Sequence, residues 1–256
     1  KAHPVPDNLD WDLWTGVAPM HPYAPGVYHP ANWRRFWDFG TGALGDMGCH
    51  FADVVYWALD LHLSYPTNVW ADCADPPHPD GTPHALSTHL LYPPLANKRP
   101  AFTMHWYDGG RRPEVIEKGQ IKVGGQPAKW GSGVLFVGDE GMLLCDYGRR
   151  HLLPEEQYKD YRTPEPWIAK SIGHHNEWIQ ACKDGSPTTC RFAYSGQLSE
   201  AILLGNVAYR AQEKLHWDGK RMTTPNVPDA AQFIKREYRT GWGDVLRDAE
   251  VLLGKV

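Results

Sequence analysis

Within the stretch GTGALGDMGCHFADVVYWALDL, Gly40 to Leu61, a carboxylate and an imidazole stand four residues apart, at Asp46 and His50. Side chains at i and i+4 of an α-helix share a face, so Asp46 can hold the ring of His50. A carboxylate bonded to one ring nitrogen fixes the tautomer, raises the basicity of the other nitrogen and aims it. That is what a general base acting on a hydroxyl proton requires. Asp53 and Trp57 continue the same face, and Gly40, Gly42 and Gly45 open the nearby backbone to another chain segment or a ligand. The spacing also fits a plainer arrangement, in which Asp46 is a first-turn acid and His50 a satisfied core histidine.

Other residues of chemical interest are scattered. His174 and His175 open a helical stretch followed by Glu177 and Trp178. Adjacent histidines point in different directions on a helix, and neither an HExxH spacing nor a third ligand accompanies them, so no metal is expected. They read as helix-end residues or as a substrate contact. Arg34 or Arg35 suits a carboxylate or a phosphate, or a surface ion pair, with Arg34 the candidate substrate contact. Trp11, Trp14 and Trp106 suit stacking on a sugar face, Trp106 being the candidate contact, and packing explains them equally well. The five cysteines are odd in number and lack CxxC spacing; they read as thiols, with Cys182–Cys190 as the one pairing a turn would allow.

Composition narrows the class. A net charge of -4 with no basic run removes the electrostatic footprint of a nucleic-acid binder. No apolar run is long enough to span a bilayer, and the N-terminal residues resemble neither a signal nor a transit peptide. A soluble chain is expected, cytoplasmic or periplasmic. Twelve Trp, twelve Tyr and 22 Pro favour a carbohydrate-like ligand or a large contact surface.

The elements that must position these residues follow from periodicity. Residues 1–39 show no period and read as an irregular arm packed by its own aromatics. Leu44 to Leu61 is helical, with apolar residues at Leu44, Met47, Phe51, Val54, Val55 and Ala58. From Asn68 to about Tyr147 short β-rich runs alternate with Pro and Gly, with a hairpin turn at Asp139–Gly141. Helices return at HHNEWIQACKDG, ending at Gly185; at SGQLSEAILLGNVAYRAQ, with Ser195 as N-cap; and from Asn226 to Arg239. The expected class is α+β, a single domain over residues 1–256 with an open, mostly antiparallel sheet and helices packed on one face. The aromatic strands AFTMHWY and GVLFV are poor candidates for solvation, which predicts a homo-oligomer through the sheet face.

Five segments in order, LDWDLWTGVAP, WRRFWDFGTGALGDMGCHFADVVYWALDL, GHHNEWIQACKDGSP, LSEAILLGNVAYR and FIKREYRTGW, resemble the C-terminal domain of bacterial Gfo/Idh/MocA oxidoreductases. This group includes glucose-fructose oxidoreductase and inositol dehydrogenase. The resemblance implies an N-terminal Rossmann domain binding NAD or NADP, partnered by an α+β substrate domain. It implies that His50 takes the hydroxyl proton of a sugar, polyol or related compound, that Asp46 orients it, and that Asp53 contacts substrate hydroxyls. The family's dinucleotide fingerprint and its lysine in an EKP-like motif have no counterpart here. The glycines of VGGQPAKWGSG lie among β-hairpins, so the Rossmann half is expected outside this chain and no NAD or NADP is expected to bind to it alone. The alternatives are a stand-alone carbohydrate-binding or oligomerisation module, and an NAD-dependent glycoside-cleaving relative.

Overall fold

The computed structural model describes residues 2–243; residue 1 and residues 244–256, the ends of the expected single domain, lie outside the described residues. In chain order the elements are α1 Trp11–Thr15, a 3-10 turn Asn32–Arg35, α2 Gly42–Ala58, a 3-10 turn Leu61–Leu63, β1 Asn68–Asp72, β2 Ser87–Tyr92 and β3 Phe102–Tyr107. Then come α3 Glu114–Glu117, β4 Lys122–Val123, β5 Gln126–Pro127, β6 Val134–Val137, β7 Met142–Cys145 and β8 Arg150–Leu153. The last are α4 His174–Asp184, α5 Phe192–Ala211, β9 Leu215–His216 and a 3-10 turn Pro228–Phe233. The class is α+β with antiparallel strands, as expected, and the strands are divided among three sheets. The described residues group into two compact units: those through Cys49, Leu63–Arg111 and from Ala201 onward, and those of His50–His62 with Arg112–Glu200. The boundaries fall inside α2 and α5.

The first unit is built on an antiparallel sheet of order β3-β2-β1-β9. Alternation puts Val69, Thr88, Leu90 and Tyr92 on the helix-covered side, each inaccessible to solvent, with Leu44 of α2 and Ile202 of α5 buried in the same core. Two glycines permit the close approach. A Cβ at Gly48 would lie 2.6 Å from Ile202 Cγ2, and one at Gly205 would lie 2.6 Å from Thr88 Cγ2. The other side of the sheet carries the row Trp70, His89, His105 and the row Asp72, Ser87, Tyr107. The arm is irregular apart from α1 and its 3-10 turn, and its rings do pack on one another: Trp11 stacks on Trp14 at 4.7 Å, and Tyr28 meets Phe39 edge-on at 5.3 Å. Asp10 caps α1 by accepting the Leu13 N–H at 3.0 Å. Arg239 ties α1 down by donating to the carbonyls of Gly16 and Ala18 and to Asp12 Oδ1.

The second unit contains the meander β6-β7-β8, whose first hairpin closes through the Gly138 N–H on the Gly141 carbonyl at 2.9 Å. Its small core is Ile121, Trp130, Leu144 and Leu153, and the Arg149 guanidinium lies 4.0 Å from the Trp130 ring centre. α4 buries none of its residues and ends at Gly185, which adopts φ 73°.

Two expectations are corrected. Ser195 is not an N-cap: α5 starts at Phe192, and the Ser195 hydroxyl donates back to the Arg191 carbonyl at 3.2 Å. Asn226 to Arg239 holds only the 3-10 turn, because the Asn226 side chain is spent on Lys214 and His216. Its Oδ1 accepts the His216 N–H and its Nδ2 donates to the Lys214 carbonyl, both at 2.7 Å. All five cysteines are free thiols.

Candidate functional site

α2 presents two stripes. Leu44, Gly48, Ala52, Val55 and Tyr56 belong to the inward side, while Asp46, Met47, His50, Val54 and Trp57 lie on the other. The helical period thus fixes the core face and, by exclusion, turns Asp46 and His50 outward together. His50 is exposed and makes no hydrogen bond or ion pair among the described residues, so it is not an enclosed core histidine. No hydrogen bond joins it to Asp46 among them either.

Asp46 instead faces Arg34, whose Nε lies 3.4 Å from Asp46 Oδ2. That is ion-pair range without hydrogen-bond alignment, since the same buried Nε has no hydrogen-bond partner among the described residues. The glycine turn makes the approach possible. A Cβ at Gly40 would overlap the Arg34 backbone, so only glycine lets the chain entering α2 lie against that 3-10 turn. The room around Gly40, Gly42 and Gly45 is taken by Arg34, Thr82, Thr41 and Leu203, and it serves packing within the protein.

One turn beyond His50, Asp53 receives the Tyr194 hydroxyl on Oδ1 at 2.6 Å. Burial pushes the Tyr194 phenol above its ordinary range, and the bond to Asp53 and its charge push it further. Tyr194 is separated from Asp53 by 141 residues, and no local pattern marks it. His174 and His175 occupy the exposed start of α4 with ring centres 4.1 Å apart, edge to face, in contact with each other. Trp106 stands opposite Thr88, on the helix-covered side of the sheet, and its indole N–H donates to Asp108 Oδ2 at 2.8 Å.

A second cluster lies on the other side of the first unit's sheet. His89 is buried, with Nε2 2.8 Å from Asp72 Oδ2 and Nδ1 2.5 Å from His105 Nδ1. Burial lowers the His105 pKa, and the electrostatic effect of His89 lowers it further.

Among the described residues no group of three or more His, Cys, Asp or Glu could hold a metal ion. No helix among them is long and apolar enough to cross a membrane. Gly124 and Gly125 join the two-residue strands β4 and β5 at φ 59° and 75°, and no helix follows directly to receive a pyrophosphate. That loop does not fit a dinucleotide.

No curated protein matches the chain. A family model described as the oxidoreductase family, C-terminal alpha/beta domain, of the Gfo/Idh/MocA group, matches residues 1–91. The matched segment contains Arg34, Asp46, His50 and Asp53; Trp106, His174, His175 and Tyr194 lie beyond it. Over residues 1–91 the chain is similar to the C-terminal alpha/beta domain of the Gfo/Idh/MocA oxidoreductase family.

Proposed function

We propose that the chain is the substrate-side domain of an oxidoreductase acting on a hydroxyl carbon of a sugar, polyol or related compound. NAD or NADP is held by a Rossmann domain, which is the family's source of the hydride acceptor, and the chain's own residues manage the proton. The observation that carries this reading is the outward stripe of α2, where Asp46 and His50 stand one turn apart within the matched segment. An exposed imidazole without a protein partner among the described residues is free to accept a hydroxyl proton, and a carboxylate one turn away stabilises the imidazolium that forms. Asp53, fixed by Tyr194, supplies a hydrogen-bond acceptor one turn further along. Arg34 is a further substrate contact in this reading.

The exposed Met47, Val54 and Trp57 flanking the pair support a partner domain over this stripe, because large apolar side chains grouped on one face are the mark of a contact surface. The sheet side bearing Trp70, His89 and Tyr107 is proposed to pair two copies; sedimentation giving one chain mass at micromolar concentration contradicts that part. The test of function is a steady-state assay of the protein joined to its dinucleotide domain. It follows nicotinamide reduction over a panel of aldoses and polyols. Reduction dependent on substrate, lost in His50→Ala, supports the reading. No reduction with any member, in protein shown to bind cofactor, contradicts it.

A further inference from the structure

Away from α2, the first unit has a cleft of about 350 Å³ bordered by Trp37, Asp38, Arg210, Lys235, Arg236 and Glu237. Three cations face two carboxylates there. The two arginines differ in what their donors do. Arg236 is spent: it donates to the carbonyls of Asp38 at 2.6 Å and of Trp37 at 2.7 Å. Arg210 has no hydrogen-bond acceptor among the described residues, and its guanidinium is held by rings, 5.0 Å from the centre of Trp37 and 4.3 Å from that of Phe233. Ring contact fixes a guanidinium without consuming its N–H groups, which lie in the guanidinium plane. Asp38, an acid of the same cleft, already has its Oδ2 2.6 Å from His21 Nε2.

We propose that this cleft binds a small molecule carrying an oxyanion, a carboxylate or a phosphate. The Arg210 edge takes two oxygens and Lys235 adds a second positive charge. A planar, half-buried guanidinium with its donors unspent is matched by the paired oxygens of such a group, and each charge-assisted bond gains from partial exclusion of water. Burial lowers the Arg210 pKa, yet an arginine stays charged through the neutral range, so the site remains cationic. The two carboxylates set a limit on the ligand: its other end presents hydroxyls, which they can accept from, and not further negative charge. The site is independent of α2 and of the oxidoreductase reading.

The test titrates the 256-residue chain with inorganic phosphate and, separately, with gluconate by calorimetry, at ionic strength matched with sodium chloride. Saturable binding of phosphate alone identifies a phosphate ligand, and of gluconate alone a carboxylate ligand. Arg210→Gln is expected to weaken binding by about tenfold or more and Lys235→Gln by about threefold, as befits a bidentate and a single charged contact. Lys235 is exposed, so its variant keeps the test open if Arg210→Gln fails to fold. No saturable binding of either anion, or affinity unchanged in a folded Arg210→Gln or Lys235→Gln protein, overturns the proposal.

Discussion

Asp46 is paired across space with Arg34, at 3.4 Å, and not with His50 one turn along its own helix. The acid of the candidate pair is thus held from outside the helix, by a side chain whose position depends on the glycine turn before α2. This gives two separable expectations. Arg34→Met removes a partly exposed ion pair and should change stability by no more than about 1 kcal/mol. Gly40→Ala forces a Cβ onto the Arg34 backbone and should destabilise by about 1–3 kcal/mol, the range for overpacking. Urea denaturation of both variants checks the order, and an equal or larger loss for Arg34→Met contradicts it.

The Tyr194 hydroxyl on Asp53 carries a second prediction. A phenol whose folded pKa is raised contributes stability that is complete below the unfolded value near 10 and is lost as pH rises beyond the folded one. In this case the neutral phenol is the form the fold favours, so ionisation in the unfolded chain pulls the equilibrium away from the native state. The protein should therefore lose stability at alkaline pH, and Tyr194→Phe should lose less over the same interval. Near neutrality Tyr194→Phe should be destabilised by about 1–3 kcal/mol, as for a hydrogen bond to a charged group. Thermal melts from about pH 8 to about pH 11 measure both effects.

His105 behaves oppositely. Its folded pKa is lowered, by burial first and by His89 second, so its contribution is present above the unfolded value near 6.5 and is lost as pH falls below it. Melting temperature should decline from about pH 7 to about pH 5, and His105→Gln should flatten that decline. A steeper decline in the variant contradicts the assignment. The ring is partly exposed, which keeps the effect modest.

The fold was legible where one local pattern decided it. The apolar period of α2, the β-rich runs of β1 to β3, the Gly138–Gly141 turn and the Gly185 cap are all set by neighbours in sequence. It was not legible where a distant group took the side chain a local rule relied on. Asn226 has the right type for a helix cap, but His216 and Lys214 claim the two ends of its amide. Ser195 likewise has a capping side chain, but the helix already begins at Phe192, a turn before it. The candidate site divides in the same way. The outward turn of Asp46 and His50 follows from the period of α2, whereas Arg34 on Asp46 and Tyr194 on Asp53 are meetings that no spacing records.

Whether His50 accepts the substrate's proton is decided by the turnover of His50→Ala in the protein joined to the proposed dinucleotide domain. The expected outcome is a fall of about 100-fold to 10,000-fold, the range for loss of a general base, with cofactor affinity and melting temperature retained. Asp46→Asn should fall less, since it weakens the imidazolium's support without removing the base. Turnover of His50→Ala within about threefold of wild type, at matched stability and with cofactor bound, rules His50 out as the proton acceptor.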